Sequence, residues 1–100
     1  MQKIIVYWRD IPAQLIVKRG RSKGKATLSQ RFHVAIDRAA MRAGKGGSDE
    51  YLADWRRDSS VLDSAGDLQD LAEQEVARIE LSYSDEHLTQ LIANFGLEKV

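Results

Sequence analysis

The stretch Ile4-Ile5-Val6-Tyr7-Trp8 constrains the fold more than any other part of this chain. In an extended strand successive side chains point to opposite faces, so Ile4, Val6 and Trp8 line one face while Ile5 and Tyr7 line the other. A strand over residues 3–9 is then apolar on both faces for most of its length, the pattern of a central strand with a neighbour on each edge. Asp10-Ile11-Pro12-Ala13 follows with a turn former and a proline that has no N–H for a ladder. Leu15, Ile16 and Val17 resume extended structure, which predicts a hairpin with a loop of about four residues.

Residues 18–25 hold five bases (Lys18, Arg19, Arg21, Lys23, Lys25) and two glycines, which reads as a solvated loop. Thr27 followed by Gln30 fits a capping box, and Leu28, Phe32, Ala35, Ile36, Ala39 and Ala43 recur at helical spacing up to Gly44. At roughly 100° per residue, Arg31, Arg38 and Arg42 fall within about 40° of one another on the shoulder of that stripe and form a basic ridge.

Beyond the Gly44-Lys45-Gly46-Gly47 loop, residues 51–57 read two ways. A strand puts Tyr51, Ala53 and Trp55 on one face; a helix capped by Ser48 puts Tyr51, Leu52 and Trp55 on one side. The strand is favoured, because the first strand needs a second neighbour and a lone hairpin is barely stable in water. Residues 58–66 read as a loop. Leu68, Leu71, Ala72, Val76, Ile79 and Tyr83 mark an acidic amphipathic helix, and Ser84 caps a further segment with Leu88, Leu91, Ile92 and Phe95 facing inward before Gly96. The two segments read equally as one bent helix. The expected fold is α+β: a small antiparallel three-stranded sheet, order 2-1-3, with a right-handed crossover helix and a C-terminal helical pair. It forms one domain over residues 1–100, with the sheet and crossover helix in 1–58 and the acidic helical part in 67–96.

A net charge of zero conceals a division. Residues 1–50 carry eleven Lys/Arg against four acids, and residues 51–100 carry four against eleven, so the halves stand at +7 and −7. Such a chain either folds one half against the other or shows a basic and an acidic face to different partners. Without cysteine there is no disulfide, thiolate nucleophile or thiolate metal site. No apolar run reaches the roughly 20 residues that span a bilayer, and the apolar start is too short for a signal-peptide core. The expected location is the cytoplasm, without membrane contact.

His33 and His87 stand 54 positions apart without acids at ligand spacing, and the glycines match neither phosphate-binding nor dinucleotide motifs. Ser29, Ser59, Ser60 and Thr27 lack a nucleophile context. No catalytic residue, metal or cofactor is therefore expected. The more specific signal is the pairing of Tyr7-Trp8-Arg9-Asp10 with Tyr51 to Arg57. On adjacent strands both Trp-Arg steps come at strand ends, where a guanidinium can stack on indole and bind a carboxylate or phosphate. The competing reading makes both tryptophans core anchors and pairs the arginines with Asp10, Asp54 or Asp58.

The segments from Tyr7 to Gln14, from Asp37 to Gly44 and from Tyr51 to Arg57 resemble the small "virulence factor" domain over about residues 2–58. That domain is known as a short stand-alone protein of alphaproteobacteria and as the C-terminal part of conserved virulence factor C. The resemblance assigns no catalytic residue, cofactor or substrate. Stand-alone members tend to be encoded near corrinoid and folate methyl-transfer genes, which implies an accessory role with such a component as partner. The expectation is thus a non-catalytic adaptor. Its partner or anion site would comprise Trp8, Arg9, Asp10, Arg38, Arg42, Trp55 and Arg56, with Lys18, Arg19, Arg21, Lys23 and Lys25 steering association. The alternative is a small nucleic-acid binder using residues 18–25 with Arg31, Arg38 and Arg42.

Overall fold

The computed structural model describes residues 1–45 and 49–98. Strands β1 (Gln2–Trp8), β2 (Ile11–Arg19), β3 (Ser22–Thr27) and β4 (Trp55–Val61) form one antiparallel sheet of order β3-β2-β1-β4. Helices α1 (Gln30–Arg42) and α2 (Asp49–Ala53) lie in the connection between the two outer strands, and α3 (Leu68–Ser82) and α4 (Asp85–Ala93) follow β4. The strand that is apolar on both faces is central, as its pattern requires. The sheet, however, has four strands instead of three.

The added strand is β3, which comes from the segment read as a loop. Gly20 (φ +58°) and Arg21 make a two-residue turn, with a positive φ at the first position as a type II′ hairpin needs. Lys23 and Lys25 then alternate outward while Gly24 and Ala26 turn inward. Helix α3 lies so close over Gly24 that a β-carbon there would collide with the Leu68 carbonyl and sit 2.6 Å from the Gln69 nitrogen. The Gln69 side chain also acts as a surrogate strand along the outer edge of β3. Its amide donates to the Lys25 carbonyl at 2.7 Å, and its oxygen accepts from the Lys25 N–H at 3.1 Å.

Three boundaries also differ. The first hairpin turns in two residues, Arg9 and Asp10, and a bulge between Val6 and Tyr7 absorbs Ala13 on β2. Pro12 therefore lies within β2, beyond the end of the β3 ladder, where its missing N–H costs no strand bond. Residues 51–57 divide: Tyr51 to Ala53 complete α2, and the strand begins at Trp55 and runs on to Val61 through residues read as loop. Ser48, the cap considered for a helix here, lies outside the described residues, as do Gly46 and Gly47. At α1 the Thr27 and Gln30 capping box does not form, because Thr27 ends β3. The N-cap is Ser29, whose hydroxyl instead donates to Glu80 Oε1 at 2.7 Å.

Helices α3 and α4 are separate, with Tyr83 extended between them and Ser84 Oγ accepting the His87 N–H at 3.0 Å. One core cluster packs Trp8, Ile11 and Ala13 against α1 residues Phe32, Ala35, Ile36, Ala39 and Ala40 and against Leu88 and Leu91 of α4. A second packs Leu15 and Val17 under Leu71 and Ala72 of α3, joined by Ile5 and Ala26. Val76 and Ile79 touch both. Phe95, expected to face inward, is exposed, because its positive φ (+62°) turns the chain off the helix and puts Gly96 against the core instead.

The charge division is resolved partly by folding. Four first-half cations pair with second-half acids: Lys3 with Glu75, Arg9 and Lys45 with Asp54, and Arg31 with both Glu80 and Asp85. The other seven, Lys18, Arg19, Arg21, Lys23, Lys25, Arg38 and Arg42, form no ion pair among the described residues.

Candidate functional site

The ends of β1 and β4 bring Trp8, Arg9, Asp10, Trp55 and Arg56 together, with Trp8 and Trp55 directly paired in the ladder. Trp8 is fully buried; its indole N–H donates to the Tyr51 carbonyl at 2.9 Å and its ring stacks on Tyr51 at 5.8 Å between centroids. Tyr51 in turn meets Trp55 edge-on at 6.0 Å. Above Trp8 the chain returns through Gly96 (φ +86°), where a β-carbon would stand 2.7 Å from the indole ring. Only glycine fits both the angle and the space.

Arg9 occupies the left-handed region (φ +52°), which costs a non-glycine residue about 1–2 kcal/mol. Its polar groups are correspondingly well held. The Arg9 backbone N–H donates to the Asp54 carbonyl (3.0 Å), Nε to Asp54 Oδ2 (3.2 Å) and Nη1 to the Phe95 carbonyl (2.8 Å). The guanidinium also lies 5.1 Å from the Trp8 ring. Arg56 Nε donates to the Arg9 carbonyl (2.8 Å), its Nη2 to Asp10 Oδ1 (3.1 Å), and its guanidinium covers the Tyr7 ring at 4.3 Å. Asp10 completes the clasp: its N–H donates to the Gly96 carbonyl (2.9 Å), and its Oδ2 accepts from the Glu98 N–H (2.7 Å). The turn is thus gripped from two sides, by the start of β4 and by the chain leaving α4.

The electrostatics follow from these contacts. The hydrogen bond from Lys45, joined by Arg9, holds the Asp54 carboxyl below its ordinary range against the opposing effect of burial. Burial, with Tyr7, Glu98 and Asp10 adding to it, pushes the Tyr83 hydroxyl up to about 12. Burial and then Asp58 likewise raise Tyr7, partly offset by Arg56.

Both guanidinium groups therefore already hold a carboxylate, and Trp8 offers no free face. An external anion would have to displace Asp54 or Asp10. Arg38 and Arg42 share no hydrogen bond, ion pair or ring contact with this clasp and stand exposed on α1. Lys45, Tyr51, Phe95, Gly96 and Glu98 join it unannounced; the last four act through backbone groups that leave no mark in a sequence. Among the described residues no three His, Asp or Glu side chains gather as metal ligands, and no helix is long and apolar enough to cross a membrane.

A four-stranded antiparallel sheet, helices packed on β2 and β3 and a clasped first hairpin define a small α+β domain. The chain matches the family described as "Virulence factor" over residues 6–92, through the acidic helices as well as the tryptophan-arginine segments, and belongs to that family. No curated protein and no solved structure matches it significantly.

Proposed function

We propose that this chain is a non-catalytic cytoplasmic accessory domain that docks on a protein partner, with a corrinoid or folate methyl-transfer component as that partner. The observation that supports it is the set of eight cations without an ion pair among the described residues, Arg57 together with the seven above, all on strands, a tight turn or a helix. Charged groups held on regular elements are pre-organised for recognition. Lys18, Lys23 and Lys25 belong in this set, since they stand on strands and are held as firmly as Arg38 and Arg42. The clasp of Arg9, Asp10, Trp55 and Arg56 sets the position of the sheet end. The test is affinity purification of the tagged chain from its own host, wild type against a variant with residues 18, 19, 21, 23 and 25 changed to Gln. Salt-sensitive recovery of a methyl-transfer protein by the wild type supports the reading; recovery of unrelated proteins equally by both removes it.

Nucleic-acid binding is the second reading, favoured by the same five bases gathered on the β2-β3 hairpin. A salt-dependent gel shift with duplex and single-stranded DNA tests it.

A further inference from the structure

The register of the sheet fixes which side chains share the face turned away from α3. Ile5, Leu15, Val17 and Ala26 pack toward α3, so the alternate positions face the other way. These are Gln2, Ile4 and Val6 on β1, Gln14, Ile16 and Lys18 on β2, Lys23, Lys25 and Thr27 on β3, and Arg57, Ser59 and Val61 on β4. Neither core cluster includes any of these twelve, but Trp8 and Trp55, next in the same alternation, pack in the cluster shared with α1 and α4, so the open part of the face ends at Val6 and Arg57. Ile4 and Ile16, paired in register and each 7% exposed, form the floor, while Val61 is 85% exposed. Gln2, Lys18, Ser59 and Val61 also line a shallow depression of about 520 Å³ at one end of this face.

The charge pattern distinguishes this face from an ordinary solvated one. It carries four cations, Lys18, Lys23, Lys25 and Arg57, and no acid, in a chain with equal numbers of each. None of the four has an ion pair among the described residues. The cations sit mainly on the outer strands and the apolar groups on the central two. Strands lie about 4.8 Å apart, so β3 and β4 are separated by about 14 Å across the face. A helix about 10 Å in diameter, laid over β1 and β2, would meet Val6 and the isoleucines beneath and cations along both flanks.

We propose that this sheet face docks an acidic amphipathic helix of a partner protein, its apolar stripe on Ile4, Val6 and Ile16 and its carboxylates on Lys18, Lys23, Lys25 and Arg57. The proposal rests on the adaptor reading and locates its interface. Nucleic acid fits less well: the face has no free aromatic ring for base stacking, and a four-stranded platform is too broad for a major groove that takes a helix or a two-stranded ribbon. The apolar floor is small, so binding is driven mainly by charge and weakens with salt.

The experiment uses the whole chain and a labelled 18-residue helical peptide with a leucine stripe flanked by glutamates, read by fluorescence anisotropy. Controls are a scrambled peptide of the same composition and a 20-base-pair DNA duplex. The expected result is tighter binding of the striped peptide than of either control. Lys18→Gln, Lys23→Gln, Lys25→Gln and Arg57→Gln together should weaken it by about tenfold or more, while Arg78→Gln, on the exposed side of α3, leaves it unchanged; circular dichroism verifies that both variants are folded. Equal binding of striped and scrambled peptides, tighter binding of DNA, an unaffected fourfold variant, or sedimentation showing that the face is filled by a second copy would each overturn the proposal. Should the affinity purification still recover a partner through Arg38 and Arg42, the adaptor reading survives and only this interface falls.

Discussion

The contact between Gly24 and α3 offers the sharpest test of the fold. In Gly24→Ala the new methyl group would meet the Leu68 carbonyl and approach the Gln69 nitrogen at 2.6 Å. These are backbone atoms in the first turn of a 15-residue helix and cannot swing aside as a side chain would. Ordinary contact needs roughly 3.4 Å or more, so α3 must retreat by close to 1 Å, loosening Leu71 and Ala72 over Leu15 and Val17 and straining the two Gln69 bonds. Overpacking of this kind costs about 1–3 kcal/mol, and with backbone on both sides the upper end applies. Alanine returns about 0.5–1 kcal/mol by restricting the unfolded chain and suiting a strand better than glycine. The net loss is about 2 kcal/mol, which for a domain of this size lowers the melting temperature by about 8–16 °C. Thermal unfolding followed at 222 nm measures it, with urea midpoints as a second reading. A melting temperature within about 2 °C of wild type would refute the close approach of α3 to β3.

Phe32→Ala, at a fully buried site touching Tyr83 edge-on, is expected to cost about 3–5 kcal/mol; an unchanged melt would place Phe32 outside the core. Asp54 has a depressed folded-state pKa, so its contribution to stability is complete above the ordinary value of 3.8 and disappears as pH falls through the lower folded value. Asp54→Asn should therefore melt below wild type at pH 7 and converge with it in acid, and a gap independent of pH would contradict the ion-pair account. Tyr83 has a raised folded-state pKa, so its contribution is full below the ordinary value of 10.0 and is lost as pH rises toward and through about 12. The tyrosinate absorbance of wild type minus that of Tyr83→Phe should show a midpoint near 12; a midpoint near 10.0 would mean that the hydroxyl is solvated.

What the sequence revealed tracks where apolar side chains repeat. The central strand announced itself through Ile4 to Trp8, and α1, α3 and α4 through helical spacing of Phe32, Leu71, Leu88 and their partners. Strand β3 was hidden because its inward positions are Gly24 and Ala26, the small residues that permit α3 to come close and that carry no hydrophobic signal. The second half of β4 was hidden for a related reason. It is an outer strand with no helix over it, and Asp58, Ser59 and Ser60 need bury nothing. The pairing of Trp8, Arg9, Asp10, Trp55 and Arg56 was legible because two similar segments on adjacent strands must meet. Their grip on the chain after α4 was not, since Phe95 and Gly96 act through carbonyl oxygens.

The amide of Gln69 has a consequence for how copies of this chain can associate. By occupying the Lys25 N–H and carbonyl it caps the middle of the β3 margin of the sheet, while among the described residues no side chain caps the outer margin of β4 in this way. Strand-by-strand polymerisation requires two reactive margins on every unit, as a linear polymer requires two functional groups on every monomer. This domain has one without such a cap. Two copies joined through β4 would leave a Gln69-capped β3 margin at each end, which disfavours further growth by edge pairing, so the chain leans toward a terminator where a sheet open on both sides would act as a link.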